Sequence, residues 1–344
     1  MRTEKKPVTI SEALDPERQA NVENVSAHRR QGGSENAAAM LVLVTLLWGV
    51  SFPLTKGWLN ADSRHLCPGG TVGSALTLIA LRMIGALSIL AIFKPRIFLT
   101  PTRREFVIGL CIGFMNFGGF ALQVLGQDLT TPALSAFLTS LGSAWVPIVA
   151  LLLFRVPIVG VTMLGLGVAI VGAGILAGVD REGIWMLGWG ERLTLLASAA
   201  FAVMIVVLDR WGKQVRTGSL TVGFLTGTGL PALLLATVWA GSGSGISPWL
   251  HWTAAMLHDR EALTNVCLLT VFCSVLTFHW MTSYQPRVPA ARAALIYLLE
   301  PLWAAAFSIA WGYDDLTARL MLGGGLILVG NLLVELPGWI RARK

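Results

Sequence analysis

Charge is scarce in this sequence. Asp, Glu, Lys and Arg make up 13% of its 344 residues, against about 25% in soluble domains. Cysteine and histidine are also few, at four and five. The cysteines have no metal-ligand spacing; Cys111 and Cys273 lie in apolar stretches, where they read as packing residues. There is no GxxxxGK[ST] loop and no HExxH, which excludes P-loop ATP hydrolysis and zincin chemistry. An enzyme would need a paired acidic metal site or a nucleophile with its base, and no such set is legible. Residues 1–39 also lack the apolar core of a signal peptide. The expectation is a non-enzyme with no cofactor and no metal.

What is abundant is apolar sequence: 54% of residues, with a mean hydropathy of +0.67. A soluble protein of this length has too little interior to hide that surface, so lipid is its solvent. Ten runs are long enough to cross a bilayer, near 40–58, 75–93, 105–126, 132–154, 159–178, 192–208, 220–240, 264–283, 291–311 and 318–336. Hydrocarbon offers backbone groups no partners, so the runs must be helices. The fold class expected is all-α: a polytopic membrane protein.

Lys and Arg orient it. With the N-terminus in the cytoplasm, 19 of the 26 fall on the inner side and six outside, leaving Arg82 within a span. Both termini are therefore expected in the cytoplasm, at the cytoplasmic membrane. This bias accounts for the net charge of +7 and leaves a nucleic-acid partner without support. Residues 1–39 read as a disordered polar tail and 337–344 as a basic one. Cys67 and Cys267 share the outer side, which leaves a disulfide between them open.

The chain also contains itself twice. Met163–Gly172 aligns with Met321–Gly330 at an offset of 158, identical at six of ten positions. The same offset pairs Gln127 with Gln285, Leu141 with Leu299 and Trp145 with Trp303. Each half, 40–178 and 192–336, carries five spans. Five is odd, so the second copy enters from the opposite side. Two inverted five-helix repeats follow, with substrate expected between them near the midplane. The glycines of spans five and ten allow close helix approach. Gly174-Ile-Leu-Ala-Gly178 is a formal GxxxG, compatible with packing in a monomer or with a homodimer.

Several segments resemble the EamA-type branch of the drug/metabolite transporter superfamily: Trp48-Gly-Val-Ser-Phe52, Leu81-Arg82-Met83, Ala136–Leu141 with Trp145-Val-Pro147, Leu299-Glu300-Pro301 with Trp303, and Gly323–Gly330. The chain departs from that family's Leu-Gly-Glu after span nine, where it has Trp311-Gly-Tyr-Asp-Asp315. The resemblance implies ten helices and transport of amino acids or related metabolites, often outward. A nucleotide-sugar or sugar-phosphate carrier is the alternative, but it would place Lys or Arg in several spans. A sensor without transport is the other.

Glu300 is the leading site candidate. It lies about 15 Å into span nine, where a carboxylate costs at least about 2.5–3.5 kcal/mol. It must face a cavity or carry a proton, which makes protons a candidate coupling ion. Pro301, Pro53 and Pro147 are candidate helix breaks. Arg82 either meets a carboxylate or snorkels outward. His279 either titrates or makes an interhelical hydrogen bond. Asn116, Gln123, Ser51 and Thr139 are candidate polar contacts, and each also reads as helix glue. Trp48, Trp303 and Tyr297 suit an apolar pocket wall. Trp185, Trp189, Trp249, Trp252 and Trp339 read as interfacial, and residues 241–263 read as an external loop.

Overall fold

The structure is a computed structural model; it describes residues 16–342 except 100, 156, 157, 159, 179–186, 213, 214, 242–244, 285–287 and 289–295, with side chains within 36–336. The helices are α1 Pro16–His65, α2 Gly70–Phe93, α3 Arg96–Leu99, α4 Arg103–Asp128, α5 Pro132–Ser140, α6 Gly142–Phe154, α7 Gly160–Leu176, α8 Trp189–Trp211 and α9 Thr217–Gly241. After them come α10 Ile246–His258, α11 Arg260–Thr270, a π-helix Val271–Leu276, α12 Thr277–Tyr284, α13 Glu300–Ala310 and α14 Ala318–Ala342. Among the described residues there is no strand.

Eight helical segments are long and apolar enough to cross a membrane. Span five is a shorter apolar helix, Gly160–Leu176. Span nine lies partly outside the described residues and contributes α13. Helix α1 already begins at Pro16, so the expected irregular tail is helical from there. At the other end α14 runs on to Ala342.

Local chemistry sets several boundaries. Thr102 and Glu105 form a reciprocal capping box that starts α4. Thr131 caps α5 ahead of Pro132, and Asp259 caps α11 by accepting from the Glu261 and Ala262 N–H groups.

The repeated glycines pack against each other inside the chain. A Cβ on Gly165 would lie 2.6 Å from the Gly330 carbonyl oxygen, and one on Gly172 would lie 2.7 Å from that of Gly323. Gly165 corresponds to Gly323 and Gly172 to Gly330, so the contact is reciprocal and α7 runs antiparallel to α14. The formal GxxxG lies apart from this seam: a Cβ on Gly174 would meet nothing within 4 Å, and one on Gly178 would meet the Arg319 side chain at 2.6 Å. Lipid-type side chains cover the other face: Met163, Leu164 and Val171 are exposed.

Other pairs obey the same exchange. Helix α4 packs on α8, and α1 packs on α11; α5 and α6 pack on α8, and α13 packs on α1. The loop expected over 241–263 contains a helix, α10, which packs on α9 and α11. Its Trp249 and Trp252 are buried, not interfacial. Trp252 Nε1 donates to Asp62 at 3.1 Å and Trp249 Nε1 to Thr77 at 3.0 Å, so both indoles complete their polar bonds inside the protein. Trp189 is exposed, as an interfacial residue would be; Trp185 lies outside the described residues. The cysteines are free, with Cys67 buried and Cys267 exposed, so the outer-side disulfide is not formed.

Candidate functional site

The geometry of the site begins with two broken helices. Span four divides into α5 and α6 at Leu141, and span nine begins its regular helix at Leu299. These two residues are 158 apart. Hydrogen bonding around them matches residue for residue. Leu141 N donates to Leu138 O and Trp145 N to Leu141 O; Leu299 N donates to Ile296 O and Trp303 N to Leu299 O. The first break is followed by Gly142 and Ser143, the second by Glu300 and Pro301.

Pro301 sits in the first turn of α13, where its missing N–H costs nothing. It stands directly after the break at Leu299. Pro53 and Pro147 lie inside α1 and α6, and the span-four break falls at Leu141, six residues before Pro147.

Helix α1 presses on the second break. A Cβ on Gly49 would lie 2.5 Å from Trp303 Cβ and 3.0 Å from Glu300 O, so only glycine lets the chains approach this closely. The Trp48 ring sits 5.7 Å from that of Tyr297. Trp48, Tyr297, Glu300 and Trp303 thus lie together at this break. Among the described residues, no hydrogen-bond partner reaches the Glu300 carboxylate. Trp303 Nε1 is buried and also lacks a partner.

Arg82 lies deeper. It is 3% exposed, which overturns snorkelling. Its guanidinium lies over the Phe120 ring, 5.2 Å from the centroid, and Nε is buried without a partner. Cys273 is close by, its Sγ donating to Leu47 O at 3.0 Å. Leu47 and Gly49 are neighbours on α1, so Arg82 and Glu300 lie at similar depth. One turn from Phe120 on α4, Gln123 Nε2 donates to Thr139 Oγ1 at 3.2 Å, two residues before the Leu141 break. Arg82 over Phe120 and Gln123 bonded to Thr139 thus link α2, α4 and α5.

Two candidates lie elsewhere. Asn116 Nδ2 donates to Thr228 Oγ1, which itself bonds Gly113 O; this is glue between α4 and α9. His279 meets Lys94 near the end of span eight, away from the centre. Ser51 is half-buried on α1, beside Phe52.

Sequence reasoning missed Lys56, Gln127 and Asp62. Lys56 Nζ donates to the carbonyls of Gln127, Asp128 and Thr130 at 2.7–3.0 Å, tying α1 to the end of α4. Gln127 donates to Phe52 O. Position 127 was visible as a repeated glutamine, but its partner is a backbone atom that sequence does not reveal.

Known proteins share this architecture. Residues 188–336 match the EamA-like transporter family. An uncharacterized transporter of Archaeoglobus fulgidus is 24% identical over 325 residues, covering 91% of each chain. The uncharacterized transporter YvbV of Bacillus subtilis is 24% identical over 306 residues, 87% of this chain and 91% of that one. A crystal structure described only as that of a protein superposes with a TM-score of 0.56 at 18% identity; it covers 90% of this chain and 99% of that chain, and shows the fold alone. The second half of the chain thus matches an EamA-like transporter domain, and most of its length is similar to transporters of two organisms.

Proposed function

We propose that this protein is a secondary carrier that moves a small metabolite, an amino acid or a related compound, out across the cytoplasmic membrane by alternating access. Ten crossings form two inverted five-helix repeats, with both termini in the cytoplasm. The observation that carries this reading is the pair of helix breaks at Leu141 and Leu299, in one register and on helices that pack together. Broken helices at a repeat interface expose backbone polar groups to a ligand at the midplane. The reciprocal contact of α7 and α14 supports the inverted relation.

The two halves of the site suit the two ends of such a substrate. Arg82, buried with a free Nε, meets a carboxylate. Glu300 meets an amine or exchanges a proton for it, while Trp48, Tyr297 and Trp303 supply the apolar wall. A charged side chain at this depth is costly, so one facing no partner marks a pathway. Sugar-phosphate transport fits less well, because Arg82 is the one Lys or Arg well inside a span.

Glu300→Gln in proteoliposomes is the test. Efflux driven by a pH gradient is expected to stop, while exchange of labelled for unlabelled substrate continues. Gradient-driven transport at the wild-type rate would sink the coupling role. Thermal-shift screening against amino acids, amines and nucleosides identifies the substrate, since a specific binder raises apparent stability by mass action.

A further inference from the structure

The first break has a side-chain partner that the second lacks. Asn331 of α14 is fully buried, as are its near neighbours Ile327 and Val334, and α14 packs on both α5 and α6. Asn331 Nδ2 donates to Ser140 O at 3.0 Å and to Ser140 Oγ at 3.3 Å. That hydroxyl in turn donates to Phe137 O at 2.7 Å. A carbonyl only accepts, so the amide nitrogen of Asn331 must be the atom that faces Ser140. Asn331 Oδ1 is left buried without a partner. An unpaired buried acceptor is costly, so the side chain is held here for what its nitrogen bonds.

Ser140 is the last residue of α5. In an unbroken helix its carbonyl accepts from the Ala144 N–H, four residues on. Here α6 resumes with Trp145 N donating to Leu141 O, and Ser140 O accepts from Asn331 instead. A side chain inserted into the i→i−4 ladder is one of the few causes of a sharp helix break, and a Gly/Ser pair such as Gly142-Ser143 is another. The second break has neither. The position that corresponds to 331 is Ala173, which has no polar side-chain atom, and Glu300-Pro301 follows that break.

We propose that Asn331 is a positioning residue that holds span four broken. By bonding Ser140 O it competes for the acceptor that would join α5 to α6, and the first N–H groups of α6 stay without helical partners. Such groups are what a broken helix offers a ligand, so the purpose of the break rests on the carrier reading above, while its geometry does not. The first break is thereby fixed from outside by another span. The second has no such hold and owes its form to its own residues.

Hydrogen–deuterium exchange of the purified full-length protein in neutral detergent, followed by mass spectrometry over residues 141–146, reads the break without any substrate. Asn331→Leu keeps the size of the side chain and removes the donor. Exchange is expected to become about fivefold slower, the size of one net hydrogen bond, as the Ala144 N–H takes Ser140 O and the two helices join. A side chain that only stabilised the fold would give the opposite sign, because its loss loosens the region. Faster or unchanged exchange therefore overturns the proposal. Asn331→Ala, which adds nothing to the core, is read in the same way if the leucine variant does not fold. Gly142→Ala is expected to exchange as wild type does. Slower exchange in that variant would assign the break to the Gly-Ser pair and overturn the proposal as well. A protein that fails its transport test leaves this result standing, since no substrate enters the measurement.

Discussion

The two halves of the chain interrupt a helix at corresponding residues, Leu141 and Leu299, and fill the interruption differently. In the first half the gap holds Gly142 and Ser143, and the nearby indole is satisfied: Trp145 Nε1 donates to Ser198 Oγ at 3.1 Å. In the second half the gap holds Glu300 and Pro301, and the corresponding Trp303 Nε1 has no partner. Helix α8 offers Ser198 to the first break, whereas α1 offers Gly49 to the second. One break is tied to its neighbour by an indole hydrogen bond; the other is packed by close backbone approach at a glycine. The backbone symmetry is therefore a frame, and the side chains differ between its two sides.

Gly49→Ala breaks this comparison most severely. Its Cβ would lie 2.5 Å from Trp303 Cβ and 2.9 Å from Ala304 N, and backbone at that distance has to move. Overpacking of this kind costs about 1–3 kcal/mol, and here it also displaces Glu300. Transport is expected to be lost together with a lower unfolding midpoint. Gly142→Ala meets only Ser198 O, at 3.4 Å, and is expected to keep both. Equal damage from the two would mean that the second break has no special role.

The α7–α14 seam sharpens the symmetric side of the comparison. Gly165→Ala and Gly323→Ala change corresponding positions in one reciprocal contact, and each is expected to cost about 1–3 kcal/mol. Gly167→Ala and Gly174→Ala sit on the same α7 helix with nothing within 4 Å of the added methyl. They are expected to leave thermal unfolding unchanged. Comparable losses at all four positions would remove the case for a reciprocal seam.

The two indoles should then differ by a smaller amount. Trp145→Phe removes a hydrogen bond worth about 1 kcal/mol. Trp303→Phe removes a buried donor that has no partner, so it is expected to cost less than Trp145→Phe in unfolding. It is nevertheless expected to reduce transport, since that N–H is available to substrate. A larger stability loss at Trp303 would show that its indole is already bonded.

Much of the frame was legible because glycine at a repeated spacing reports helix approach directly. Gly165, Gly172, Gly323 and Gly330 stand in the sequence at the spacing at which they touch. Glu300, Trp303 and Trp48 were legible because polarity and aromatic rings inside an apolar run are rare. The bonds of Lys56 and Gln127 were not, since both donate to backbone carbonyls, which carry no sequence signature. Trp249 and Trp252 were misassigned because a tryptophan beside a Gly-Ser stretch has the composition of an interfacial residue. Only tertiary packing supplies Thr77 and Asp62 as their acceptors. Arg82 was ambiguous for a related reason: snorkelling and burial begin at the same position in the chain.

The smallest effect is expected where the two halves use a similar clamp at opposite ends of the molecule. At the end with α9's start, Glu105 beside the cap of α4 bonds Arg216 at 2.7 Å. At the other end, Asp259 caps α11 and bonds Arg64 at 3.0 Å and His65 at 3.1 Å. The Ala262 N–H, then Arg64 and His65, hold the Asp259 carboxyl below the ordinary carboxylate range. A depressed value means that its stabilisation is complete above the unfolded value of about 4 and is lost as pH falls through the folded one. Asp259→Asn keeps an oxygen for the cap but loses the charge. At pH 7 the variant should unfold at a slightly lower temperature than wild type, because exposed pairs contribute little. That gap should persist to about pH 4 and close on further acidification, when wild-type Asp259 takes up its proton. High salt should narrow it at pH 7. A gap that stays constant from pH 7 down to pH 2 would assign the effect to the cap geometry and leave the Arg64 and His65 contacts with no part in it.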